Sequence, residues 1–105
     1  MIDWDRVEEL KSEIGEEDFA EVLELFLAEM EEGIAAYDDA APHDRKAEAL
    51  HALKGSAANV GFSGLADICR DAEATLASGQ DVDDAKARLS DCFAASRDQM
   101  SADAA

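Results

Sequence analysis

The residues best suited to chemistry lie within one stretch, "ALHALKGSAANVGFSG", at positions 49–64. His51 is followed one helical turn later by Lys54 and Gly55. An imidazole is substantially neutral near pH 7 and nucleophilic through a ring nitrogen. It can therefore act as a general base, a metal ligand or a phosphoryl acceptor. A lysine one turn away can offer positive charge to an anionic group on the ring. A mid-helix glycine costs roughly 1 kcal/mol relative to alanine, so Gly55 implies that empty space is needed beside the histidine.

Helix geometry says where that histidine points. With about 100° per residue, Ala49, Leu50, Leu53, Ala57 and Val60 cluster in one apolar direction, and His51 lies roughly 150° from it. Gly55 and Ala58 flank His51 on the next turns, and Lys54 sits on the shoulder between the two faces. His51 is thus predicted to reach solvent from a surface pared down to small residues. General-base work needs a cleft and an orienting group, which a convex bare face does not offer. Metal binding needs more ligands. Asp44 and Glu48 share this face, but His43, the other histidine, is about 12 Å back along the axis. A bare face does suit a second protein that docks and brings the rest of an active site. Gly55, Ala58, Glu48 and Asp44 form the candidate docking face.

Five helices are needed to position these residues. The first runs from about Asp3, a candidate N-cap, to Ile14, and Gly15 breaks it. The second runs from about Glu16 to Ala40, with Phe19, Val22, Leu23, Phe26, Leu27, Met30, Ile34 and Tyr37 as its apolar stripe. "DDAAPHD" separates it from the third, predicted from Pro42 or Asp44 to Asn59 and closed by Gly61. The fourth starts near Ser63, turns Leu65, Ile68, Cys69, Ala72 and Leu76 inward, and ends at Gly79. The fifth starts near Asp81, its expected N-cap, and carries Val82, Ala85, Leu89, Cys92, Phe93 and Met100. One apolar stripe on each of four longer helices, joined by short connections, predicts an all-α fold. The arrangement expected is an antiparallel up-down four-helix bundle with the short first helix across one end. The chain reads as one domain, with its core at about 16–100 and a frayed tail at 101–105. Such a core closes within one chain, so a monomer is expected.

Composition narrows the function. The net charge is −17, of which residues 1–40 hold −13 and residues 61–105 hold −5, while 41–60 carry +1. Nucleic acid and anionic membranes are repelled by such a surface, and only the segment around His51 escapes the acidity. No apolar run approaches the roughly 20 residues of a membrane span, and the N-terminus lacks a signal-peptide pattern. A cytoplasmic, free-standing chain is expected. Cys69 and Cys92 are too few for a disulfide framework or a zinc site and read as buried reduced thiols.

The segment "HALKGSAANVG" resembles the signature of histidine-containing phosphotransfer (HPt) domains: His51, Leu53, Lys54, Gly55, Ser56 and Gly61. The flanking "AEALHALKG" and "FSGLADICRDAEAT" are similar to that family as well, and the likeness covers about residues 16–100. The resemblance implies a four-helix bundle whose exposed His51 exchanges a phosphoryl group with aspartates of response-regulator receiver domains. It casts Lys54 as the group that helps hold the phosphoryl oxygens and Gly55 as clearance for the receiver, with Ser56 and Gly61 structural. Partners would be receivers and a histidine kinase or hybrid kinase. The chain itself would need no cofactor or metal, magnesium coming with the receiver. It has no P-loop or kinase-type glycine motif, so a phosphocarrier without ATP-dependent kinase activity is expected. The alternative is a non-phosphorylated helical adaptor or inhibitor that binds a kinase or receiver through the same face. A metal-binding bundle fits poorly, because the inward stripes are apolar.

Overall fold

The computed structural model of the chain describes residues 1–104. Among them the regular structure is entirely helical: α1 (Trp4–Ile14), α2 (Glu16–Ala36), α3 (His43–Asn59), α4 (Ser63–Ala77) and α5 (Ala85–Ala104). α2 packs on α3, α3 on α4, α4 on α5 and α5 back on α2, while α1 packs on α2. The body measures 43 × 19 × 19 Å. Among the described residues no helix is long and apolar enough to cross a membrane.

Local chemistry explains most boundaries. The Asp3 carboxylate caps α1 by accepting from the Arg6 N–H at 3.2 Å. Glu16, Glu17 and Asp18 occupy the first turn of α2, where the helix dipole favours negative charge. α2 stops at Ala36 rather than running to Ala40. Tyr37 turns to an extended conformation and buries its ring, and the Asp38 side chain captures the Ala40 N–H at 2.9 Å, which favours a turn over helix. α5 starts at Ala85, four residues later than expected. Asp81 is not its N-cap; its carboxylate accepts from the Val82 N–H at 2.9 Å and holds Lys46. α5 extends to Ala104, and Ala105, the end of the tail expected at 101–105, lies outside the described residues.

The apolar stripes meet in one core. Leu50, Leu65 and Leu89 are fully buried, and Phe62 and Phe93 pack with ring centroids 6.3 Å apart. On α2, Phe19, Met30 and Ile34 are buried, as is Tyr37 just beyond its end, whereas Val22, Leu23, Phe26 and Leu27 are half-buried. Ile68 and Cys92 are also half-buried, at the edge of the core. Both cysteines are free, and burial pushes the Cys69 thiol up to about 12.

α1 is strapped to the α3–α4 corner. Asp3 donates its N–H to the Gly61 carbonyl at 2.7 Å, and Gly64 donates to the Met1 carbonyl at 2.9 Å. The Arg6 Nε donates to the Asn59 carbonyl at 3.0 Å, satisfying one of the free carbonyls at the end of α3. Gly61 has φ +83°, and a Cβ there would sit 2.7 Å from the Asp3 carbonyl oxygen. Glycine is required on both counts.

At the opposite end a buried lysine ties two loops. Lys46 is 2% exposed. Its ammonium donates to the Asp39 carbonyl at 3.0 Å and to the Asp81 carboxylate. That contact, followed by the Val82 N–H, holds the Asp81 carboxyl below its ordinary range; the same bond raises Lys46. Asp81's contribution to stability is therefore present above the ordinary aspartate range and lost as pH falls through its depressed value. The contribution of Lys46 is present below the ordinary lysine range and lost as pH rises through its raised value.

Two outcomes are expected. Gly61→Ala destabilises the fold by on the order of 1–3 kcal/mol, read from urea unfolding midpoints. Asp81→Asn lowers the midpoint at neutral pH, and a pH series of the same titrations shows the gap to wild type closing in acid, as the native carboxyl protonates.

Candidate functional site

α3 presents the motif as helix arithmetic requires. Leu50, Leu53, Ala57 and Val60 point into the core, while the His51 side chain is 74% exposed. Gly55, Ala58, Glu48 and Asp44 are all exposed. Gly55 has ordinary helical geometry, and a Cβ added there meets nothing within 4 Å. Neither a turn nor internal packing explains it, so the space it leaves faces outward.

α4 supplies a residue that the sequence reading did not single out. Glu73 faces α3 with its side chain 22% exposed and reaches both motif residues. Its Oε2 lies 3.4 Å from the His51 Nδ1, a long hydrogen bond. Its Oε1 lies 2.8 Å from the Lys54 Nζ, the two meeting as an ion pair rather than along a hydrogen-bond axis. Burial pushes the Glu73 carboxyl up, but contact with Lys54 and then with His51 outweighs it, and the net shift is downward. An ionised carboxylate only accepts. A hydrogen bond to it requires the proton on Nδ1, the tautomer whose Nε2 lone pair is directed away from Glu73. Lys54, on the predicted shoulder, is anchored within a turn of the imidazole instead of being free in solvent.

Other candidates separate from this group. His43 stands apart, its Nε2 3.5 Å from the Asp81 carboxylate at the loop end. The Asp44 carboxylate accepts from the neighbouring Arg45 N–H at 3.0 Å. Ser56, half-buried, donates its hydroxyl to Glu29 of α2 at 3.4 Å, in keeping with a structural place. Glu73 lies in the segment "DAEAT", within a stretch similar to the HPt family, but its pairing with His51 spans 22 positions. Only the register of α4 against α3 brings it into view.

The chemistry available is that of an exposed, oriented nucleophile with a cation held one turn away. Comparison with known proteins bears on its use. The family model for the Hpt domain matches residues 21–102, spanning α3, α4 and most of α2 and α5. No curated protein and no solved structure gives a significant match.

Glu73→Gln is expected to remove the preference for a proton on Nδ1. Long-range nitrogen–proton NMR of the His51 ring then shows the tautomer population moving toward Nε2–H, while the helical circular dichroism is unchanged.

Proposed function

This chain belongs to the Hpt domain family, the phosphotransfer modules of two-component signalling, and on that premise we propose that it is a phosphocarrier working through His51. The observation that carries the reading is the exposed imidazole, with Glu73 on Nδ1 and Lys54 beside it. The Nε2 lone pair attacks the phosphorus of a receiver aspartyl phosphate. The phosphorus–oxygen bond to the aspartate breaks, and its electron pair returns to the aspartate carboxylate. The imidazole, now carrying the phosphoryl group, keeps its Nδ1 proton against Glu73. In the reverse direction the bond to Nε2 breaks and the ring returns to neutrality. Phosphoramidate and acyl phosphate are both high-energy species, so transfer runs either way.

In this reading Lys54 supplies charge to the phosphoryl oxygens, releasing part of its hold on Glu73. Gly55 and Ala58 leave room for the receiver's aspartate loop, with Glu48 and Asp44 at the rim. The receiver brings its own magnesium, and a histidine kinase or hybrid kinase stands upstream. The chain has no kinase activity of its own, needs no cofactor, and acts as a monomer in the cytoplasm. The ring of contacts among α2–α5 supports an antiparallel up-down course for these helices, with α1, outside the matched span, as an added element.

Incubation with a phosphorylated cognate receiver is expected to place acid-labile, alkali-stable label on this chain, and His51→Gln abolishes it. Equal labelling of that variant overturns the proposal. An absence of label on wild type with intact receiver binding favours the adaptor alternative. Lys54→Ala slows transfer roughly ten- to a hundredfold, the kinetic equivalent of one charge-assisted hydrogen bond, with little change in stability.

A further inference from the structure

Besides Lys54, a second cation stands beside the cleared patch, and it belongs to α4. Arg70 lies one turn before Glu73 on that helix. It shares with Ala58 the lining of a hollow of about 180 Å³, which Asp3 and Asp67 also border. Ala58 is exposed two turns beyond His51 on the same face of α3, so Arg70 marks that end of the patch. Glu73 sets the level of the two helices, since it reaches both His51 and Lys54. The opposite end of the patch is acidic: Asp44 is exposed two turns before His51, and Glu48 about one turn before it. Along α3 the imidazole is therefore bracketed by carboxylates on one side and by a guanidinium on the other.

Arg70 already has a partner, but a loosely held one. Its Nη2 donates to the Asp67 carboxylate at 2.6 Å. The two side chains are 63% and 57% exposed, and an i,i+3 pair that open to water contributes little. The other N–H donors of a guanidinium leave it able to take a further acceptor. A receiver brings such acceptors close, because its phosphorylated aspartate and the carboxylates that hold its magnesium must face His51.

Resting on the phosphocarrier reading for the identity of the partner, we propose that Arg70 is a specificity-determining residue, which exchanges Asp67 for a carboxylate of the docked receiver. With Asp44 and Glu48 it sets the direction in which the receiver lies along α3. A receiver with a carboxylate at the Ala58 end and a cation at the Asp44 end is favoured, and one of reversed polarity meets like charges at both. The guanidinium touches the partner and not the phosphoryl group, since Ala58 is about 10 Å along the helix from His51.

The test titrates a panel of receiver domains into the full chain, followed by amide NMR, and reads transfer from phosphorylated forms of those that bind. Arg70→Gln is expected to weaken binding of the tightest receiver about fivefold and to raise KM for transfer by the same factor with kcat unchanged. Arg70→Lys recovers part of that loss. Asp67→Asn frees the guanidinium and is expected to act the opposite way, tightening binding about twofold. Labelling of His51 by phosphoramidate, a donor with no protein surface, keeps its wild-type rate in all three variants. An unchanged dissociation constant in Arg70→Gln overturns the proposal, as does weaker binding in Asp67→Asn. Slower phosphoramidate labelling of Arg70→Gln also overturns it, by placing Arg70 at the phosphoryl group. If receivers bind in an Arg70-dependent way but leave no label on His51, the phosphotransfer reading fails and this proposal stands. Binding by no receiver of the panel overturns both.

Discussion

At the α3–α4 corner the Gly61 backbone runs against the Asp3 carbonyl with no room for a Cβ, and that close approach governs how the two helices bearing the site leave the turn. His51 lies eight residues before the end of α3, about 12 Å along its axis, and Glu73 ten residues after the start of α4, about 15 Å along its own. The two side chains meet because the helices return along one another from a fixed origin. A corner one residue longer would rotate Glu73 by about 100° and take its carboxylate off the face toward α3. The strap formed by Met1, Asp3 and Arg6 belongs to the same device, since it fills the cap positions of the corner with hydrogen bonds.

The exposure of His51 was legible from spacing alone. A helix face follows from residue intervals within one segment, and α3 obeys that rule with Leu50 and Ala57 at 0% exposure. Its start and end were legible as well, because Pro42 and Gly61 act on their own neighbours. Glu73 was hidden for the opposite reason: whether a residue on one helix faces another depends on the axial register of the pair, and no interval in the sequence encodes that. Asp81 shows how a local rule is overridden. It has the chemistry of an N-cap and precedes a helix, but the buried Lys46 ammonium claims its carboxylate. An ion sealed from water gains more from a counter-ion than a helix gains from one cap. The early end of α2 has a similar origin, for burying Tyr37 outweighs four more residues of helix.

Glycine serves two distinct purposes in this chain, and separating them clarifies the site. Gly61 is required by its own chain: positive φ and a close contact forbid any side chain. Gly33 and Gly55 meet neither condition, because an added Cβ has open space at both. Propensity alone would place alanine there. For Gly55 the phosphocarrier proposal supplies a reason outside the molecule, the volume a docking partner would occupy beside His51.

Charge completes the argument for that partner. A net −17 spread over so small a body weakens the fold through self-repulsion and contributes nothing to the packing of the core. The motif face is relieved of it in a specific way, since Lys54 pairs with Glu73 beside His51, while most carboxylates of α2 stand exposed on its outer face. In the phosphocarrier reading, a phosphoryl group brought to His51 would therefore meet a locally compensated patch within a repelling surround, and that field would favour a donor protein whose own surface is basic over free phosphate or nucleotides.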